Sequence, residues 1–120
     1  MTRITAGRRS KYNAKPVVID GRRFASTKEG NRYRELKLLE KASEIQALKL
    51  QPRFDLCAGF PVATKIGEYR GDFQYYTGGG GDGPGHFVVE DVKSPATRTA
   101  LFIWKAKHLK AQYGITIREV

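Results

Sequence analysis

At 120 residues the chain has room for one domain and not for two. Its 22 Lys and Arg against 12 Asp and Glu leave a net charge of +10, and its 40% hydrophobic content suits one core. No apolar run approaches the roughly 18 residues of a spanning helix, and a lone Cys57 beside His86 and His108 excludes an intramolecular disulfide and argues against a multi-ligand zinc site.

The charge is concentrated at the front. Residues 1–25 hold Arg3, Arg8, Arg9, Lys11, Lys15, Arg22 and Arg23 against Asp20 alone. Residues 1–15 lack sustained periodicity and read as a flexible basic arm. No apolar stretch follows the arm, so a signal peptide is not expected and the chain reads as cytoplasmic. A basic arm on a nearly balanced body suits a polyanion, because Lys and Arg displace the counterions condensed on nucleic acid. The plainer alternative is a solvated tail that aids solubility. An anionic membrane surface fits less well, since the arm offers no amphipathic helix to insert.

Val17-Val18-Ile19 and Arg22-Arg23-Phe24 flank Asp20-Gly21, the signature of a two-residue hairpin. A helix follows from Ser26 to Leu48. Ser26 and Glu29 fit a capping box, and Tyr33, Leu36, Leu39 and Ala42 form its apolar stripe. Gln51-Pro52 stops that helix, and Arg53 to Cys57 reads as a strand. Further strands are expected over Glu68–Tyr76 and His86–Lys93, joined through the glycine-rich Gly78–Gly85. Pro95 suits the first turn of a second helix running to Tyr113, with Phe102, Ala106, Leu109 and Tyr113 on one stripe. Gly114 fits its stop, and Ile115-Thr116-Ile117 begins a last strand. After the hairpin the expected order is α-β-β-β-α-β.

The informative stretch is Val88-Val89-Glu90-Asp91-Val92-Lys93-Ser94. Side chains alternate along a strand, so Val89, Asp91 and Lys93 share one face while Glu90 and Val92 share the other. Gly71-Asp72-Phe73 places a second acid on the preceding strand. Asp72 and Asp91 can then converge on a hard cation whose oxygen ligands suit Mg²⁺ or Mn²⁺. Glu29, in the first turn of the first helix, faces roughly the way of the core stripe. Three acids and one lysine can thus meet at the open end of a small sheet.

Asp72 followed by Asp91-Val92-Lys93, with a helix-borne Glu29 before them, resembles the PD-(D/E)XK nucleases over residues 24–120. Lys93-Ser94 after an acidic strand is similar to the archaeal-type Holliday junction resolvases. Lys11-Tyr12-Asn13-Ala14, Glu29 to Leu39, Gln51-Pro52-Arg53-Phe54 and Val88 to Lys93 also resemble a small nuclease family of bacteriophage genomes. Two departures stand out. Gly71 replaces the usual Pro before Asp72, and the glycine-rich loop lengthens the spacing from Asp72 to Asp91.

The resemblance implies an α/β fold: a restriction-endonuclease-like αβββαβ core whose mixed central sheet is flanked by helices, with the arm and hairpin in front. It implies that Asp72, Asp91 and the Val92 backbone carbonyl bind Mg²⁺, with Mn²⁺ as substitute, and that Glu29 completes the shell through a water. Lys93 would activate or orient the attacking water. The implied activity is metal-dependent hydrolysis of phosphodiesters in branched double-stranded DNA by a homodimeric junction resolvase, located in the host cytoplasm if phage-encoded. No membrane and no nucleotide cofactor is expected. Arg3, Arg8, Arg9, Lys11, Lys15, Arg98 and Lys105 are the candidate DNA contacts.

Plainer readings stand beside several of these residues. Glu29 can simply close the capping box. Glu90 is the alternative acid, on the face opposite Lys93. Arg98, Lys105, Lys107 and Lys110 can track a phosphate backbone or form a solvated face. Trp104, among Leu101, Phe102 and Ile103, suits the core or a dimer contact. The Gly78–Gly85 loop lacks the Gly-Lys-[Ser/Thr] ending of a P-loop and reads as a flexible connection. Rival functions are cleavage of flaps or nicks, DNA binding without catalysis, and packaging. Three clustered acids that repel phosphate argue against the last two.

Overall fold

A computed structural model of the chain describes residues 15–78 and 85–120. Residues 1–14 of the basic arm and 79–84 of the glycine-rich connection lie outside the described residues. Strands β1 (Val17–Ile19) and β2 (Arg22–Phe24) form the expected hairpin. Asp20 and Gly21 both take positive φ, 53° and 73°, as a type I′ turn requires. The hairpin packs directly on the backbone of helix α1 (Thr27–Lys41). A Cβ at Gly30 would stand 2.6 Å from Val17 Cγ2, so only glycine permits this approach.

Ser26 caps α1 as its sequence predicts, its hydroxyl accepting from the Glu29 amide at 3.1 Å. The helix is shorter than expected. It ends at Lys41, and Ala42, placed on the apolar stripe, is an exposed cap. Ser43 takes φ 63°, and the Glu44 amide bonds back to the Leu39 carbonyl at 2.8 Å. That left-handed exit normally carries glycine, and here it carries serine. Residues expected to continue the helix instead form β3 (Ile45–Leu50).

Strands β3 and β4 (Arg53–Ala58) pair with β6 (Phe73–Thr77) and β5 (Thr64–Arg70) as one bent ribbon. The register is unbroken across the bend: Leu50 pairs with Phe73 and Arg53 with Arg70. Between them the Gln51 amide donates to the Asp72 carbonyl at 2.9 Å, and the Gly71 amide to the Pro52 carbonyl at 3.0 Å. The single strand expected over Glu68–Tyr76 is therefore broken at Gly71-Asp72. Away from the bend, a bulge at Ala47, φ 56°, shifts the register between Gln46 and Lys49.

Strand β7 (His86–Asp91) lies antiparallel to β6, and helix α2 (Ala100–Tyr113) crosses over to β8 (Arg118–Glu119), parallel to β7. The result is a mixed four-stranded sheet, β3-β6-β7-β8, in a mixed α/β fold. Five strands, not three, separate the helices. Helix α2 begins at Ala100 under a Thr99 cap, so Pro95 lies in the preceding loop rather than in its first turn. Gly114 ends it with φ 74°, as expected, while the last strand starts at Arg118 and not at Ile115.

Alternation along β7 sorts the interior into two cores. One joins Phe24, Tyr33, Leu36, Ile45, Phe73 and Tyr75, with Val88 and Val92 against it. The other joins Leu56, Tyr69, Val89, Phe102 and Leu109 under α2. Phe102 and Leu109 are thus interior, while Leu101 and Trp104 are exposed and Trp104 lies 5.3 Å from the His108 ring. Tyr113 is half-exposed but tied down, its hydroxyl donating to the Asp55 carbonyl. Among the described residues, no helix is long and apolar enough to cross a membrane.

Candidate active site

The bend in the ribbon sets Asp72 in place. Its amide donates to the Glu90 carbonyl at 3.0 Å, and its carbonyl accepts from Gln51. The ladder ends at the Phe73–Glu90 pair, and just beyond it the Asp72 carboxyl comes close enough to Asp91 for the two acids to act on each other. Gly71 lets the backbone come this close. A Cβ there would meet Val89 Cγ1 at 3.1 Å and the Glu90 carbonyl oxygen at 3.4 Å. This packing, together with the Gly71 N–H donated to the Pro52 carbonyl at 3.0 Å, suits glycine at this position and excludes proline.

Asp91 is buried and held on both oxygens. Tyr69 donates to Oδ2 at 2.6 Å, and Lys93 Nζ lies 3.3 Å from Oδ1. Lys93 also sits over the Phe102 ring, 4.2 Å from its centroid, which directs the ammonium and stabilises it by cation–π attraction. Asp72 Oδ2 accepts from the Val92 amide at 2.7 Å. At Val92, expected to offer its carbonyl to a metal, it is the N–H that supports a facing carboxylate.

The acids act on one another. Asp72 is pushed up to about 8, first by burial and then by the negative charge of Glu29, with Asp91 adding to it and the Val92 hydrogen bond opposing. Glu29 is likewise raised, mainly by burial and further by Asp91, against a lowering contact from the Ala25 amide. Glu29 therefore serves the helix start and faces the acid pair at once. Among the described residues, no three His, Cys, Asp or Glu side chains are gathered as a metal-holding group. What stands together is the Asp72–Asp91 pair, with Glu29 coupled to both through charge. The donors are all oxygen, and Lys93 is the cation in a salt bridge with the pair among the described residues, which is the chemistry a hard divalent cation matches.

Glu90, the alternative acid, is fully buried on the other face. Arg32 grips it with two hydrogen bonds, 2.8 and 2.6 Å, and the Tyr75 hydroxyl donates to it as well. The arginine holds this carboxyl below its ordinary range despite its burial. Alternation thus separates a structural acid from a site acid at adjacent positions.

The candidate DNA contacts scatter. Arg3, Arg8, Arg9 and Lys11 lie outside the described residues, and Lys15 is exposed. Arg98 is paired with Glu119 at 2.8 Å. Lys105 lines a cavity of about 380 Å³ on the α2 side, shared with Arg70, Asp91, Lys93 and Thr97. His108 places Nε2 2.8 Å from the Cys57 carbonyl, an ordinary polar contact.

Several site residues escaped the sequence reading. Tyr69 is three positions before Asp72 in an aromatic-rich run, with nothing in its spacing to mark it. Only the continuous ribbon brings it onto Asp91. On the α1 side a second cavity of about 270 Å³ is lined by Arg22, Arg23, Glu29, Gln51 and Asp72. The arginines register in the sequence as charge, but their position beside Asp72 depends on the hairpin packing over α1.

No curated protein and no solved structure matches the chain. A family model described as "Protein of unknown function (DUF1064)" matches residues 9–118, which takes in every acid and lysine of the site, and the chain therefore belongs to the DUF1064 family.

Proposed function

We propose that the protein is a metal-dependent endodeoxyribonuclease for branched DNA, a Holliday junction resolvase acting as a homodimer. The observation that carries this reading is the facing Asp72–Asp91 pair with Lys93 3.3 Å from Asp91. The element order adds support. With each arm of the bent ribbon counted once, the chain after the hairpin runs α1, three strands, α2 and a parallel fourth strand, as the nuclease resemblance implies.

Asp72, Asp91 and the Val92 carbonyl would hold Mg²⁺ or Mn²⁺, with Glu29 reaching it through water. Bound there, such a cation supplies positive charge that acidifies water and stabilises the pentacovalent phosphate. The protein's own groups do the rest. Tyr69 fixes Asp91 through one oxygen, which leaves the other turned toward Lys93. The Lys93 ammonium orients the attacking water and offsets the negative charge developing on phosphate. The Val92 amide holds the Asp72 side chain across from Asp91. A two-fold dimer would present two such sites to the two strands of a symmetric junction.

The test is cleavage by purified protein of a matched panel: four-way junction, flap, nicked duplex and linear duplex, with Mg²⁺ and with chelator. The reading expects paired, symmetric nicks in the junction that require the metal. Preferential cutting of flaps or nicks would reassign the substrate, and metal-independent binding without any cutting would reduce the protein to a DNA binder.

A further inference from the structure

We infer that the β1–β2 hairpin is one limb of a phosphate track that crosses the site and continues on the α2 side, so that the substrate backbone passes through the acid pair instead of ending at it. The inference rests on the nuclease reading and adds to it where the flanking phosphates lie. It starts from the two cavities. Asp72 opens into the α1-side cavity and Asp91 into the α2-side cavity, so the facing pair is reached from both directions.

Each cavity carries cations suited to phosphate. Arg22 and Arg23 are exposed at the α1-side cavity, and neither is in a salt bridge among the described residues. Lys105 and Arg70 line the α2-side cavity, equally without a salt-bridge partner among the described residues. Arginine forks suit phosphate oxygens in two-point contacts, and a lysine adds a point charge. A site of acids repels a polyanion on its own. Cations on both sides offset that repulsion only for a chain that extends both ways, which fits cleavage inside a strand and not removal of a terminal nucleotide.

Gln51 adds a polar, uncharged side chain to the α1-side cavity. It is exposed, lines that cavity, and takes φ 52°, a left-handed backbone that favours glycine. Its amide is fixed on the Asp72 carbonyl at 2.9 Å. The bend thereby keeps an amide side chain at the cavity beside Asp72.

The track is tested by binding, apart from cleavage. Full-length protein is titrated in chelator with a four-way junction at several salt concentrations. The comparison takes the Arg22→Gln/Arg23→Gln double variant, Lys105→Gln, and Arg22→Lys/Arg23→Lys as a charge-keeping control. The double variant should flatten the slope of log affinity against log salt by about 1.8, and Lys105→Gln by about 0.9, at roughly 0.9 per phosphate contact. The lysine control should keep the wild-type slope.

Single neutral methylphosphonates scanned along one strand then locate the contacts. The arginine double variant should become insensitive at one set of phosphates and Lys105→Gln at a different set, displaced along the same strand. An unchanged slope for the double variant, or both variants losing sensitivity at the same phosphates, would overturn the track. Two displaced sets in a protein that never cuts with Mg²⁺ would keep the track and sink the nuclease reading instead.

Discussion

Glu90 and Asp91 are adjacent in β7 and do opposite work. Glu90 points into the α1-side core, fully buried, with Arg32 and Tyr75 on its carboxylate. Asp91 points to the α2 side, where Tyr69 and Lys93 each take one of its oxygens. One residue of register separates an acid whose charge is fully compensated from one that shares its surroundings with two further acids.

The Glu90 arrangement should govern stability. Arg32→Met leaves a buried carboxylate without its cation, and truncating one partner of such a pair typically costs about 3–5 kcal/mol. Changing Glu90 to Gln in the same background should recover part of that loss, because the uncompensated charge is then gone. Urea unfolding of the two single variants and the double variant measures the coupling. Additive losses would mean that the two side chains stabilise the fold independently.

The acid cluster should make the metal-free protein less stable as pH rises. Asp72 titrates at about 8 in the folded chain against an ordinary 3.8, so between those values the folded state keeps a proton that the unfolded chain has released. Unfolding then releases a proton, and stability falls with rising pH by at most ~1.4 kcal/mol per unit from this group. Glu29, also raised, acts in the same direction. Glu90 acts oppositely and lower: its carboxyl is held below 4.5, so its contribution is lost only as pH falls into the acid range. Thermal unfolding from pH 5 to 8 in chelator should show a decline that Asp72→Asn flattens. Saturating Mg²⁺ should flatten it too, by stabilising the ionised form.

Glu29→Gln separates capping from chemistry. The Ser26 hydroxyl still accepts from the amide of residue 29, so the helix start keeps its cap. One negative charge near Asp72 and Asp91 disappears. Stability at neutral pH should hold or rise, while Mg²⁺-dependent cleavage falls at least tenfold. Full activity with unchanged stability would make Glu29 a capping residue alone.

The hairpin, the Ser26 cap, the Gly114 stop and the two faces of β7 were all legible in the sequence, because each rests on local chemistry: Asp-Gly turn geometry, a hydroxyl cap, a left-handed glycine, period-two alternation. The end of α1 was not. Ser43 makes the left-handed exit without a glycine, and Ala42 to Leu48 keeps a helix-compatible composition. The break at Gly71-Asp72 was hidden for a related reason. It is imposed by the partner arm at Gln51-Pro52 and by close packing on Val89, and neither is encoded nearby in the chain. For the site, alternation along the strand places Asp91, whereas Asp72 lies in the bend before β6 and Lys93 two residues past the end of β7, short of the strand expected to Lys93. Tyr69 could not be placed, since its contact with Asp91 spans 22 residues and depends on the bent ribbon lying against α2.

The most direct test of the central claim compares wild type, Asp72→Asn, Asp91→Asn and Lys93→Ala on one four-way junction, measuring cleavage in Mg²⁺ and affinity in chelator. The two Asn variants should lose cleavage, because an amide is a poorer ligand for a hard cation. In chelator at neutral pH Asp91→Asn should bind DNA as tightly as wild type or more tightly, and Asp72→Asn about as tightly, since the Asp72 carboxyl, at about 8, already keeps its proton there. Lys93→Ala should also lose cleavage, with affinity unchanged or weaker, since it removes a cation from the same place. Wild type that binds the junction but never cuts it with Mg²⁺ or Mn²⁺, with Asp91→Asn behaving identically, would contradict the account.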